Sequence, residues 1–149
     1  MRGALLVLAA LLVAGCAPDA TPEDRIAALV DEAARAFEEG DTGPILGATT
    51  EDFSDDRGRD RRALEGTLRL YFRQSGERHV LTSIESMRVD GDGTATLDVR
   101  VAIARAELSS LEGLSEADAH LLRFEIELID EGGGEWKARS ATWRELAGF

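Results

Sequence analysis

The apolar residues of this 149-residue chain change their spacing once, near His79, and that change constrains the fold more than any other feature. Before His79 they recur every three to four residues, which is typical of amphipathic helices. After it they alternate with polar residues, which is typical of strands with one buried face. Helices followed by a run of strands predict an α+β fold, with the N-terminal helices packed on an antiparallel sheet of about four main strands.

Two segments in the first half of the chain carry the helical pattern. Residues 22–39 follow Thr21, whose hydroxyl can cap a helix, and they end at Gly40. Residues 59–74 form the second helix, with one face made of Leu64, Thr67, Leu68, Tyr71 and Phe72. Gly66 lies inside this helix, where glycine costs about 1 kcal/mol relative to alanine. We therefore expect Gly66 to pack closely against another element.

The segment between the two helices predicts a short helical turn around Ile45 and Leu46, then a short edge strand that contains Phe53. Four longer strands are predicted after the second helix, at residues 79–89, 94–104, 120–130 and 135–144. The Asp90–Gly93 turn makes the first two a hairpin. It is not a calcium loop, because Val101 stands where such a loop needs its bidentate glutamate.

Each strand predicts one apolar and one polar face. In the second strand the predicted inward residues are Ala95, Leu97, Val99, Val101 and Ile103, and in the third they are Leu122, Phe124, Ile126 and Leu128. Charged side chains alternate with them: Asp98, Arg100, Arg123, Glu125 and Glu127. Opposite charges on neighbouring strands usually form surface ladders, so we expect these residues to face solvent. The long connection 105–118 includes a predicted helical turn at Ser115–Asp118.

The order of helix, short helix, Phe53 strand, helix and a meander that ends in Glu135-Trp136-Lys137 resembles the nuclear transport factor 2-like family, also called SnoaL-like or cystatin-like. Asp55-Asp56-Arg57-Gly58, Leu122-Arg123-Phe124 and Trp143-Arg144 resemble small bacterial lipoproteins of that fold that have no assigned activity. The resemblance implies a cone in which the sheet wraps over the helices and often leaves a pocket at its wide end.

The N-terminus resembles a bacterial lipoprotein signal. Residues 1–15 contain one arginine and an apolar run that is too short to span a bilayer, and Val13-Ala14-Gly15-Cys16 matches a lipobox. The resemblance implies cleavage between Gly15 and Cys16 and a lipid on the Cys16 sulfur. Residues 16–21 are then the lipidated cysteine and a short linker, and residues 22–149 are the folded domain. A secretory signal without lipid is the alternative.

The residue after the cysteine is Ala17 and not aspartate, which for enteric-type bacteria implies an outer-membrane anchor with the domain facing the periplasm. The membrane is thus one expected partner. The net charge of −12 disfavours nucleic acid as another. Cys16 is the only cysteine, which excludes an internal disulfide and a multi-thiolate metal site. No cofactor or metal is predicted.

Enzymes of the resembled fold place acids, tyrosines, histidines or arginines inside the cone. The candidate pocket residues of this chain are Phe53, Tyr71, Phe72 and Trp136. Tyr71 is the one inward group able to donate a proton, although the pattern favours a core tyrosine whose hydroxyl bonds to backbone. His79 and His120 begin two strands and are predicted to be surface residues, so no catalytic residue is assigned.

The densest charge cluster, Asp55 to Arg62, is either a stabilised helix N-terminus or a salt-bridged rim of the cone. The predicted function is a membrane-tethered, non-catalytic domain for binding or assembly, with a small apolar ligand or an envelope protein as its partner. Two alternatives remain: a small-molecule isomerase, dehydratase or hydrolase that uses the cone pocket, and a structural module that forms a homodimer through its sheet.

Overall fold

The computed structural model describes residues 19–111 and 119–146. Within them the chain forms α1 (Pro22–Glu39), α2 (Thr42–Gly47), β1 (Thr49–Asp55), α3 (Arg61–Gln74), β2 (His79–Val89), β3 (Thr94–Ala104), β4 (Ala119–Asp130) and β5 (Trp136–Glu145). The strands make one curved sheet in the order β1-β5-β4-β3-β2. This confirms the predicted α+β fold. The signal segment at residues 1–15 (the leader), Cys16 and the predicted helical turn at Ser115–Asp118 lie outside the described residues.

The sheet is mixed. β1 pairs with β5 in parallel, whereas the pairs β2–β3, β3–β4 and β4–β5 are antiparallel. The predicted Asp90–Gly93 hairpin joins β2 to β3. The pairing of β3 with β4 runs without interruption from Thr94 opposite Ile129 to Ala104 opposite Ala119. Their side chains therefore alternate strictly between an inner face, which the helices cover in part, and an outer face.

The start of α1 confirms its predicted cap. The Thr21 hydroxyl accepts the Asp24 N–H at 3.1 Å, and the Asp24 carboxylate accepts the Thr21 N–H at 3.1 Å. This reciprocal capping box satisfies two backbone donors that have no partner inside the helix. The helix ends at Gly40, which has a φ of 71° and donates to the last turn of α1, as the sequence predicts.

The main core lies on the inner face, at one end of the sheet. Its fully enclosed members are Ile26, Ala95, Leu97, Val99, Leu128 and Trp136. Three segments meet at this end, residues 19–25, 90–94 and 130–137, and we call it the closed end. The Asp130 N–H donates to the Gly93 carbonyl at 2.8 Å, which holds the two strand turns together.

Val101 and Ile103 keep the predicted inward side of β3, but burial no longer follows that side beyond Val99. Val101 and Ile103 are only half-buried, whereas Ala102 and Ala104 on the outer face are buried. Together with Ala119 these alanines form a second cluster, and Leu81, Leu108, Leu111 and Leu121 pack against it. Leu108 and Leu111 come from the connection after β3, so a loop buries an outer face that strand alternation alone predicts to be exposed.

The expected close packing of Gly66 is also wrong. Gly66 is exposed on α3, and a side chain added at its Cα would meet no atom within 4 Å. In the described part of the chain, no helix has the length and apolar content needed to cross a bilayer.

Candidate functional site

The end of the sheet opposite the closed end has a helix beside it but is not fully covered. We call it the open end: the first residues of β2 and β4, the last residues of β3 and β5, and α3. Helix α3 begins beside β1, where Asp60 bridges to Ser54, and only four residues separate its last residue from β2. It packs mainly on β1 and α2, so the inner face of β3 and β4 stays partly uncovered here.

A groove of about 450 Å³ occupies this uncovered region and opens to solvent. One wall is the last turn of α3 and the loop that follows it, and the other is the paired ends of β3 and β4. Its lining includes Tyr71, Gln74, Glu77, Ile103, Arg105 and His120. The groove therefore combines an apolar surface with acidic, basic and amide groups, a mixture that suits a small ligand with both polar and apolar parts.

An aromatic cluster sets the position of Tyr71. Its ring centroid lies 5.3 Å from that of Phe37 on α1, and Phe72 contacts Phe37 edge-on with centroids 5.1 Å apart. Tyr71 is 36% exposed, so it is not the core tyrosine that one interpretation of the sequence expected. Its hydroxyl has no hydrogen-bond partner among residues 19–111 and 119–146. It is free to bond a ligand in the groove.

Arg78 holds the α3 side of the groove in place. Its guanidinium donates to the carbonyls of Phe37 (3.1 Å) and Glu38 (3.2 Å) at the end of α1, and to that of Gly76 (2.9 Å) after α3. It also lies 4.9 Å from the centre of the Phe72 ring. Because its donors are engaged with backbone, Arg78 is a structural part of the wall and not a free cation.

His120 and Glu145 form a pair at the mouth of the groove. The cross-strand register places both on the inner face, and His120 Nδ1 lies 3.2 Å from Glu145 Oε1. The two side chains are 72% and 66% exposed. His79 has a similar contact with Glu77, also at 3.2 Å, but it does not line the groove. Both histidines therefore have acidic neighbours, which sequence distance alone did not reveal.

The four candidate pocket residues do not share one site. Tyr71 lines the groove, and Phe72 supports Tyr71 from behind. Trp136 is 6% exposed in the core of the closed end, and Phe53 is buried on β1. The residues that the sequence analysis missed are Gln74, Glu77 and Arg105. The hairpin turn could have indicated them, because it pairs the start of β2 with the end of β3 beside the end of α3.

The charge cluster before α3 is a folded turn that caps the helix and contains an ion pair between Asp55 and Arg59. The Asp55 carboxylate accepts the N–H groups of Arg57 (2.9 Å) and Arg59 (2.8 Å) and the Arg59 Nε at 2.6 Å. Burial opposes ionisation of Asp55, but together these bonds outweigh it and lower its pKa below the ordinary value of 3.8. Asp60 accepts the Ala63 N–H at 2.8 Å and so caps α3.

Arg57 extends from this turn along the inner face. Its guanidinium lies 4.3 Å from the centre of the Trp143 ring, and Trp143 stacks on Phe124 with ring centroids 6.3 Å apart. Contact of this kind between a cation and an aromatic ring is attractive. We call this turn, residues 55–60, the basic rim, because it places the Arg57 guanidinium over Trp143. It lies beside the last part of β5.

The outer face of the sheet carries the predicted charge ladder. Arg123 makes a bidentate contact with Asp98, and hydrogen bonding from Arg123 lowers the pKa of Asp98 below its ordinary value of 3.8. Arg100 Nε lies 2.9 Å from a Glu85 carboxylate oxygen on β2. The exposed residues Glu125 and Glu127 continue the ladder, and the Ser140 hydroxyl donates to Glu127 at 2.9 Å. This ladder is polar, and none of its residues lines the groove.

The Asp90–Gly93 segment is a turn, as predicted. The Asp92 carboxylate accepts the N–H of Thr94 at 3.0 Å and its hydroxyl at 2.6 Å, and these bonds lower the Asp92 pKa. Both bonds go to the Oδ1 atom of Asp92, which is therefore engaged within the turn itself. Across the described ranges, no three or more histidine, cysteine, aspartate or glutamate side chains are placed to hold a metal ion together.

Comparison with known proteins identifies the fold and not the activity. No protein-family model matches the chain, and no curated protein is significantly similar to it in sequence. Solved structures do match. A Mycobacterium tuberculosis protein of unknown function is 24% identical, with a TM-score of 0.63 over 82% of this chain and 70% of that one.

Two further structural matches are described in terms of enzymes. A candidate scytalone dehydratase from Novosphingobium aromaticivorans is 14% identical, with a TM-score of 0.67 over 83% of each chain. A ketosteroid isomerase-like protein from Erwinia carotovora atroseptica is 13% identical, with a TM-score of 0.60 over 83% of this chain and 95% of that one. The helices and curved sheet thus have the nuclear transport factor 2-like fold, and this level of identity carries no activity across.

Proposed function

We propose that this chain is a membrane-tethered, non-catalytic binding domain whose ligand site is the groove at the open end. The observation that carries the proposal is the groove itself, where Tyr71 has a hydroxyl without a partner among the described residues and faces a wall that contains the apolar side chain of Ile103. Arg105 and His120 stand on the other wall. These groups suit a small amphiphilic molecule, with its apolar part against Tyr71 and Ile103 and a polar or anionic part towards Arg105.

The exposure of the titratable groups favours binding over catalysis. A general base gains its reactivity from shielding or from a charged neighbour in a dry site. His120 and Glu145 are both more than half exposed to water, and Glu77 is exposed as well. Asp55 has the least exposed side chain of the acids in ion pairs. Its carboxylate already accepts hydrogen bonds from Arg57 and Arg59 within the basic rim, so it is not available as a base.

A fragment screen by NMR tests the location of the site. Small amphiphilic carboxylates and phosphates are titrated into isotope-labelled protein that carries Cys16→Ser, so that the sample is free of lipid. We expect the amide signals of residues 71–78, 103–105 and 119–120 to shift, with those of 90–94 and 130–137 unchanged as the internal control. Shifts confined to the closed end or to the outer face would contradict the proposal.

The anchor is the second part of the proposal, and the lipobox at Val13–Cys16 supports it. Several acyl chains on Cys16 would make membrane attachment effectively permanent, since each buried methylene contributes about 0.8 kcal/mol. We expect Cys16→Ser to move the domain from the membrane pellet to the soluble fraction or to leave the leader uncleaved. A variant that is processed and remains in the pellet as completely as wild type would show that Cys16 is not the anchor.

One observation favours the enzyme alternative: the His120–Glu145 contact lies across the groove mouth from Tyr71. A carboxylate that orients a histidine is a common arrangement for general base catalysis. A turnover screen on esters, epoxides and enolisable ketones compares wild type with Tyr71→Phe, His120→Ala and His79→Ala. We expect no turnover. Turnover that His120→Ala or Tyr71→Phe abolishes and His79→Ala spares would replace the binding proposal with an enzyme.

A further inference from the structure

The described chain begins at the closed end, far from the groove. Arg25, in the first turn of α1, donates from Nη1 to the Gly133 carbonyl at 2.9 Å and from Nε to the Ala20 carbonyl at 3.3 Å. These bonds attach the start of α1 to the turn between β4 and β5. The part of the chain that precedes α1 therefore leaves the domain at the closed end.

The groove lies at the other end of the same strands. β5 runs from Trp136 at the closed end to Glu145 beside the groove, and its 10 residues at roughly 3.3 Å each span about 30 Å. The four residues between Cys16 and Thr21 reach at most about 14 Å when fully extended. An anchor on Cys16 therefore keeps the closed end near the lipid surface, and the linker is too short to bring the groove there without turning the domain over.

We propose that the groove opens away from the membrane that holds the anchor, and that it takes its ligand from the aqueous space and not from the adjacent leaflet. This inference rests on the proposed function, because it needs both the lipid on Cys16 and the groove as the binding site. The shared chemistry of the ligand is an anionic or polar group on a small apolar body. Its source is a dissolved molecule and not a lipid of the anchoring leaflet.

The distribution of charge between the two ends favours the opposite orientation, with the groove against the lipid surface. The closed-end segments contain eight acidic and two basic residues, whereas residues 55–78 of the open end contain seven arginines and five acidic residues. An anionic leaflet repels the first set and attracts the second, which would pull the domain over. The net charge of −12 opposes any such contact, because the domain as a whole is repelled.

The test measures how close each end lies to the lipid surface. Gly91 in the β2–β3 turn and Gly66 on α3 are a matched pair: both are exposed, and a new side chain at either meets no atom within 4 Å. The lipidated full chain is prepared with Gly91→Cys or Gly66→Cys, labelled with a fluorophore at the new thiol, and reconstituted in vesicles that contain a quencher on the lipid head groups. Zwitterionic vesicles and vesicles with anionic lipid are compared.

In both kinds of vesicle, we expect the lipid quencher to reduce the fluorescence of the label at Gly91→Cys several-fold more than that of the label at Gly66→Cys. Equal quenching, or stronger quenching at Gly66→Cys in either, would overturn the orientation while leaving the anchor intact. A labelled chain that fails to co-sediment with the vesicles would overturn the anchor itself. An aqueous quencher provides the reverse check, since it should reach the Gly66→Cys label more readily. Sedimentation and quenching thus separate the two failures.

Discussion

The closed and open ends of this domain are built from the same strands but differ in how their inner faces are covered. At the closed end Leu97 and Leu128 are 3% and 2% exposed beneath α1. At the open end Val101 and Leu122, which are paired on the same face, remain half-buried because α3 packs mainly on β1. Similar apolar residues thus make a sealed core at one end and a partly uncovered surface at the other.

Folding stability and ligand binding are expected to depend on different ends of the domain. A closed core gains free energy from every apolar group that it removes from water. A groove leaves part of that energy unrealised, and a ligand can supply the missing contacts. Changes at the closed end should therefore alter folding most, and changes at the groove should alter binding with less effect on folding.

The largest expected contrast is between two leucines on the inner face. Leu97→Ala should destabilise the domain by about 2–5 kcal/mol, the range for an enclosed leucine that leaves a cavity. Leu122→Ala should cost about half as much or less, because water already reaches that side chain and can fill the space. Urea unfolding of both variants measures the two values. Equal losses would mean that the open end is as well sealed as the closed end.

Arg78 is the main test of how the open end is held together. Arg78→Met keeps much of the aliphatic stem but removes the charge-assisted bonds to the ends of α1 and α3, and should cost about 2–3 kcal/mol. Hydrogen exchange should quicken in residues 71–80 and not at Leu128. Exchange that quickens equally in both regions would show that Arg78 supports the whole fold and not the groove wall alone.

Asp55 provides a pH test of the basic rim. Its pKa in the folded chain lies below its ordinary value of 3.8, so its bonds stabilise the fold above that pH and are lost as pH falls through the folded value. Asp55→Asn should reduce stability at pH 7 and flatten the acid limb of the stability curve. Arg59→Gln, which removes one partner, should do the same more weakly. An unchanged acid limb in Asp55→Asn would contradict the assignment.

The smallest expected effect is a gain. Gly66→Ala should stabilise the domain by about 0.5–1 kcal/mol, because a methyl group meets no neighbour and alanine favours the helix. Thermal unfolding should show a modest rise in Tm. A loss of stability would mean that Gly66 is packed against something, as the sequence first suggested. Ligand binding should be unchanged, because Gly66 does not line the groove.

Much of the fold follows from local sequence signals. The capping box at Thr21, the hairpin at Asp90–Gly93 and the alternation of β4 each depend on residues within a few positions of one another. Such signals are visible in one sequence. The same holds for the outer-face pairing of Asp98 with Arg123, since alternation places both on one side of adjacent strands.

The rest depends on contacts between distant segments. Leu108 and Leu111, which lie in a loop, pack over the cluster that contains Ala102. The alternation of residues in a strand does not predict that a loop covers its outer face. Trp136 and Tyr71 are both large and aromatic, yet Trp136 at the start of β5 lies in the closed-end core, whereas Tyr71 near the end of α3 lines the groove. The His120–Glu145 contact joins residues 25 positions apart. The groove residues Gln74, Glu77 and Arg105 become neighbours only after the strands have paired.

The binding site at the open end is tested most directly by mass spectrometry of the ligand that co-purifies with the lipidated full chain. Wild type is compared with Tyr71→Ala, which removes a groove side chain, and with Leu70→Ala, which removes an exposed neighbour on the same helix. We predict a small bound molecule in wild type and Leu70→Ala, and its loss in Tyr71→Ala without a matching loss of stability. Retention in Tyr71→Ala equal to that in wild type would contradict a binding site at the open end.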